Sequence, residues 1–276
     1  MPNWVTNNVT ITASKKLIEK IRAEVKGENS EFDFNRIAPM PKELEGTRSP
    51  MIAISKKEYK EQELKIAKGD LTEHEKTFGI SRCLTQELID EYNRKFGACD
   101  WYGWHLANWG TKWNACDVYI SDSGDFISFN TAWSTPFDLM VKLSEKYPKA
   151  TFEVEYADED FGHNVGRYTL RNGEEIDSFL PEGGSQEALA LAMEIQGGED
   201  YYLADIFTDI DEDEEELGSY YESLIELAYQ RDYLPEEGCG YPKIVLEKFK
   251  ELALEDENYE LVVTIQKELD SIEEEK

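Results

Sequence analysis

Basic residues are scarce in the second half of this chain. Residues 151–276 hold 8 of the 29 Lys+Arg but 37 of the 59 Asp+Glu, whereas residues 1–150 are nearly neutral, with 21 basic and 22 acidic side chains. A field of that sign repels nucleic acid and phospholipid headgroups and attracts basic protein surfaces, strongly so within a Debye length of roughly 8 Å at physiological salt. Carboxylates also confer solubility and line solvated faces or tails, so the charge alone fits a bland surface equally well.

Histidine is scarcer still. His74, His105 and His163 are far apart in sequence and form no HExxH or paired-ligand spacing. GxSxG, P-loop and GxGxxG motifs are all missing. His163 follows Asp158, Glu159 and Asp160, a group that reads as a solvated turn before it reads as a metal site. The chain is therefore expected to be no enzyme, with no catalytic residues, no cofactor and no metal. The four cysteines, Cys83, Cys99, Cys116 and Cys239, include no CxxC pair and no disulfide framework, which predicts reduced thiols. No run approaches the roughly 18 apolar residues of a membrane span, and the N-terminus lacks a signal pattern, so a cytoplasmic protein without membrane contact is expected.

What is present reads as α+β. Trp4 to Thr12 alternates as a strand, with Val5, Asn7, Val9 and Ile11 on one side. A helix with a stripe of Leu17, Ile18, Ile21 and Val25 follows, and Glu31 to Ile37 then alternates as a second strand, a β-α-β opening. Residues 42–97 read as a helical insertion, with helices at Ser55 to Ala67 and Thr85 to Phe96. Strands are predicted at Asp117 to Ser121, Asp125 to Thr131, Thr151 to Tyr156 and Val165 to Leu170. A helix is predicted after Pro136, and a turn over Arg171 to Glu174. Beyond Gly184, apolar residues recur at helical spacing in Ala188 to Ile195, Leu217 to Tyr229, Ile244 to Leu254 and Leu261 to Ile272. The expected organisation is an α+β domain over residues 1–180 and an acidic, mostly helical region over 185–276.

Two segments stand out. Residues 101–114 hold four Trp among Asn, Lys and Thr, fitting either a stacking platform for bases or sugars, or a buried irregular loop around Gly103 and Gly110. The run Asp209 to Glu216 starts like a calcium loop. It has Glu214 where the tight turn needs glycine and Tyr220 where a bidentate Glu belongs, so it reads as a linker or helix N-terminus.

MPNWVTNNVTIT, FDFNRIAPMPKEL, WYGWHLANWGTKWNACDV, FISFNTAWSTPFDLMVKLSEKYP and FEVEYADEDFG, in that order, resemble the YubB family of phage and plasmid proteins with a ferredoxin-like domain, over about residues 1–170. The resemblance implies a split β-α-β fold, with Pro2, Asn3 and Trp4 opening the first strand. It also implies that Asn108 to Asn114 lead into a central strand, that Trp133 to Pro136 precede the second helix, and that the protein comes from a mobile element. It supplies no activity, and the acidic region after about residue 185 lies outside its motifs.

Two functions of different class follow. The first is an inhibitory protein that occupies a basic groove of a host nuclease or defence complex, its carboxylates standing in for DNA phosphates. Its contact residues are Asp209, Asp211, Asp213, Glu214, Glu215 and Glu216, with Tyr201, Tyr202, Tyr220 and Tyr221 as aromatic anchors. The second is a ferredoxin-like module that binds nucleic acid or a small ligand through Trp104, Asn108, Trp109, Lys112 and Trp113. A homo-oligomer is compatible with both.

Overall fold

The computed structural model describes residues 3–73, 76, 79–196, 203, 206–210, 216–236 and 238–274, with residues 273 and 274 described by backbone alone. Strand β1 (Trp4–Thr12) turns Val5, Asn7, Val9 and Ile11 inward, as its alternation predicts. Asn7 is polar and fully buried, and it is accommodated because its amide donates to Val5 O and Thr131 Oγ1, each at 2.8 Å. Helix α1 (Lys15–Val25) follows and buries Ile18, Ile21 and Val25.

Strand β2 (Cys116–Ile120) forms an antiparallel pair with β3 (Phe126–Ala132), and β3 pairs antiparallel with β1, from Trp4 opposite Ala132 to Thr10 opposite Phe126. Helix α6 (Phe137–Lys146) connects β3 to β4 (Thr151–Asp158), and β5 (Gly166–Arg171) and β6 (Glu174–Phe179) complete a sheet of order β2-β3-β1-β4-β5-β6. The first four strands, with a helix after β1 and another after β3, are the ferredoxin-like split β-α-β. The turn between β5 and β6 sets Asn172 at φ 52° and Gly173 at φ 80°, the left-handed pair a tight hairpin requires.

Between α1 and β2 lie α2 (Phe34–Ile37), a 3-10 turn at Lys42–Leu44, α3 (Lys56–Lys68), α4 (Gln86–Phe96) and α5 (Trp101–Trp109). Helix α3 begins with a reciprocal cap between Ser55 and Glu58, and its Gln62 amide bonds both backbone groups of Cys83 at 3.0 Å.

Two expectations change, and one strand was not anticipated. Glu31 to Ile37 is not a strand, so the opening is β-α and then helix. Phe32 and Phe34 are both buried, which imitates a strand period, yet Asp33 caps α2 through Asn35 N–H while Asn114 Oδ1 accepts Phe34 N–H at 2.9 Å. The segment before β2 leads into an edge strand rather than a central one, and no β2 residue is fully buried. Strand β6 is exposed at every position and so carries no burial period to read.

Asn114 holds α2 to the start of β2 from both ends of its amide, since Nδ2 also donates to Asp33 Oδ1 at 2.7 Å. Asn114→Ala is expected to lower stability by about 1–3 kcal/mol in a urea melt, because the Phe34 N–H loses its acceptor.

The chain divides into two compact units, residues 1–154 with 168–178, and residues 155–167 with 179–276. In the first, Phe32, Phe34, Phe129 and Trp109 form an aromatic core with centroids 5.0–5.8 Å apart. In the second, α7 (Gln186–Gln196), α8 (Ser219–Gln230), α9 (Lys243–Glu255) and α10 (Tyr259–Glu274) bury the apolar stripes read from the sequence. Phe207, Tyr241 and Phe249 sit among them. The chain is an α+β protein with a ferredoxin-like domain and a helical C-terminal region.

Candidate functional site

The Trp-rich segment is a helix. Asp100 caps α5 by accepting Gly103 N–H at 2.8 Å, so Gly103 is helical, while Gly110 ends the helix at φ 78° and opens an irregular stretch, 110–115, that carries Lys112 and Trp113. The helical period separates the tryptophans. Trp104 and Trp109 face inward, at 7% and 1% exposure, and Trp109 Nε1 donates to Ala38 O at 2.9 Å. These two belong to the core rather than to the expected ligand surface. Asn108 is likewise committed: its amide donates to Trp104 O, while Lys142 Nζ reaches its carbonyl at 2.8 Å and its Oδ1 at 3.1 Å. Burial lowers the Lys142 pKa from the usual lysine value.

Lys112 and Trp113 remain at the surface, joined by residues the sequence did not single out. Lys112 Nζ lies 4.4 Å from the Trp113 ring centre and 4.6 Å from that of Trp133, and Trp4 packs on Trp113 at 5.7 Å. Trp133 is 43% exposed and holds φ at 70°, a backbone state unusual for a bulky side chain, with its N–H on Asn3 O. A cation between two indoles offers aromatic faces more than free charge.

The second unit contains the other candidate. Asp209 and Glu216 are exposed, while Asp211, Asp213, Glu214, Glu215, Tyr201 and Tyr202 lie outside the described residues. Tyr220 and Tyr221 are half-buried against the helical core. Tyr220 OH donates to Phe161 O at 3.0 Å, and its ring lies 5.9 Å from His163 and 5.1 Å from Tyr221. Asp158 is buried and accepts from Asp160 N–H and Asn164 Nδ2, so the Asp158 to His163 stretch is an internally bonded turn.

A cleft of about 560 Å³ opens between the turn after α8 and the start of α10, lined by Asp232, Glu236 and Glu260 around Leu234, Pro235 and Leu261. Asp232 occupies the left-handed region at φ 62°, and Asn258 Oδ1 accepts Leu261 N–H to start α10. No Lys or Arg is among the lining residues. An apolar floor with carboxylates above it fits the alkyl stem and charged head of an arginine or lysine. Sequence reading missed this cleft because two turns well apart in the chain build it. The only local signal was the Pro235 and Gly238 punctuation beside acidic residues.

Residues 108–205 match the family model for the ferredoxin-like domain in Api92-like protein. The match covers a little over a third of the chain and extends past residue 185, into the region that the sequence motifs left out. The crystal structure of the protein api92 from Yersinia pseudotuberculosis is similar over 67% of this chain and 100% of that chain, at 11% identity and a TM-score of 0.38. No curated protein matches the sequence. Among the described residues, no helix is long and apolar enough to cross a membrane.

Proposed function

We propose that this chain is a non-enzymatic interaction protein of phage or plasmid origin, of the YubB type. Acting in the bacterial cytoplasm, it binds and inhibits a host defence or nucleic-acid-handling protein through its acidic helical unit. The observation that supports this reading most is the cleft of Asp232, Glu236 and Glu260, a receptor for a basic side chain within a region of 37 acidic and 8 basic residues. Acidic side chains outnumber basic ones by 29 in that region, a negative field with which a partner's lysines and arginines can pair. On a nuclease or its accessory subunit, such a surface displaces the phosphates of DNA.

A second reading, a ligand or nucleic-acid module in the ferredoxin-like domain, is favoured by Lys112 held between the half-buried ring of Trp113 and the exposed ring of Trp133. Affinity capture of the tagged full chain from bacterial lysate, washed at low and high salt and read by mass spectrometry, separates the two. The first predicts a basic defence or nuclease protein released by salt. Recovery of nucleic acid alone favours the second, and a protein retained equally at both salt concentrations counts against an electrostatic inhibitor.

A further inference from the structure

Asn172 and Gly173 are the one Asn-Gly pair in the chain. Such a pair can modify itself, because glycine has no side chain to keep its own backbone nitrogen away from the preceding side-chain amide. Here the pair makes the turn between β5 and β6, with Asn172 exposed and both residues in the left-handed region.

The fold requires both members. Asparagine tolerates a φ of 52° better than most side chains do, and a Cβ at Gly173 would overlap the stem of Glu145 on α6. The same close approach restrains the nitrogen that would react. Gly173 N–H donates to Ser144 Oγ at 2.8 Å, and the Ser144 hydroxyl donates its own hydrogen to Val141 O at 2.8 Å, which leaves its lone pairs for the turn. Ser144 is fully buried in the last turns of α6, a fixed platform rather than a mobile surface group.

We propose that Asn172 is a deamidation site of this protein and that the Ser144 hydroxyl restrains it in the folded chain. In the first step Gly173 N gives up its proton to water or hydroxide and bonds to Asn172 Cγ. The bond from Cγ to Nδ2 breaks, and that nitrogen leaves as ammonia, closing a cyclic succinimide. Water then adds to either ring carbonyl and opens the ring to aspartate or isoaspartate. In sum one water is consumed and one ammonia is released, with no change in oxidation state. A nitrogen whose hydrogen is shared with Ser144 neither loses it readily nor rotates toward Cγ, so the reaction follows opening of that bond.

Either product adds a carboxylate next to Glu174 and near Glu145. Isoaspartate also lengthens the backbone of a two-residue loop, whose left-handed pair then no longer matches the hairpin. The site lies within the first unit and stands whether or not the acidic cleft binds a protein.

The test keeps the full chain at mildly alkaline pH, folded and in parallel unfolded in guanidinium chloride. The peptide containing 172–173 is followed by mass spectrometry for the gain of about 1 Da and for isoaspartate. Conversion is expected in both samples, at least about tenfold slower in the folded chain. Ser144→Ala is expected to speed the folded chain about 2- to 10-fold, the range for one lost hydrogen bond. Glu145→Ala, at an exposed position on the same helix, keeps that bond and the slow rate. Should Ser144→Ala fail to fold, hydrogen exchange of the unmutated chain decides, with Gly173 N–H expected to be protected. No conversion in the unfolded chain, equal folded and unfolded rates, a folded Ser144→Ala chain no faster than the unmutated one, Glu145→Ala as fast as Ser144→Ala, or an unprotected Gly173 amide would overturn the assignment.

Discussion

Trp109→Ala is expected to cost about 3–5 kcal/mol, the range for removing a large aromatic from a packed core. Typical domains have about 5–15 kcal/mol in total, so the first unit should lose most of its margin. Trp109 is 1% exposed, packs edge-on against Phe34 and Trp104, supports the ring of His105, and spends its indole N–H on Ala38 O. Truncation leaves a cavity among side chains already fixed by one another, together with an unpaired carbonyl. Trp133→Ala removes an indole of similar size but is expected to cost about 1 kcal/mol. That ring is 43% exposed, and what it loses is chiefly the contact with Lys112. Urea melts followed by near-ultraviolet dichroism should place the two midpoints far apart. Similar midpoints would mean that the helical period of α5 does not divide its tryptophans into core and surface.

The contrast shows where the sequence was legible. Val5, Asn7, Val9 and Ile11 alternate over a strand half-buried on one side, and the stripes of the C-terminal helices repeat at helical spacing. In both cases the period records burial on an element whose type is set locally. Phe32 and Phe34 have the same two-residue period for another reason. They flank a capping aspartate, and the acceptor that fixes the turn, Asn114, is 80 residues downstream. Residues 101–109 were ambiguous because Gly103 and four aromatics weaken a helix signal, whereas Asp100, the cap that settles it, is a single side chain. Strand β6 buries nothing, and its place at the sheet edge leaves no pattern to find. The sites show the same division. Lys112 and Trp113 were legible as neighbours, but Trp4 and Trp133 join them only through β1 and the end of β3. Likewise, the acidic cleft exists only once α8 and α10 have both packed on α9.

The acidic unit supports a prediction of comparable size on binding. Reversing Glu236 and Glu260 together to lysine is expected to weaken capture of a basic partner by about 2–5 kcal/mol, or roughly 30- to 5,000-fold. Folding should change little, because both side chains are exposed. Glu260 in the first turn of α10 contributes at most about 1 kcal/mol through the helix dipole. Asp232 is best left in place, because its φ of 62° tolerates aspartate better than lysine. The control is Asp209→Lys with Glu216→Lys, which shifts the net charge equally at exposed positions outside the cleft. A diffuse field makes the two pairs equivalent, both slowing association and both losing their effect in high salt. A built receptor makes them unequal, with the cleft pair raising the dissociation rate and the control acting mainly on association. Loss confined to the Asp209 and Glu216 pair would move the contact surface to the acidic run that the sequence first suggested. Unaltered binding by both variants would remove the acidic unit from the interface.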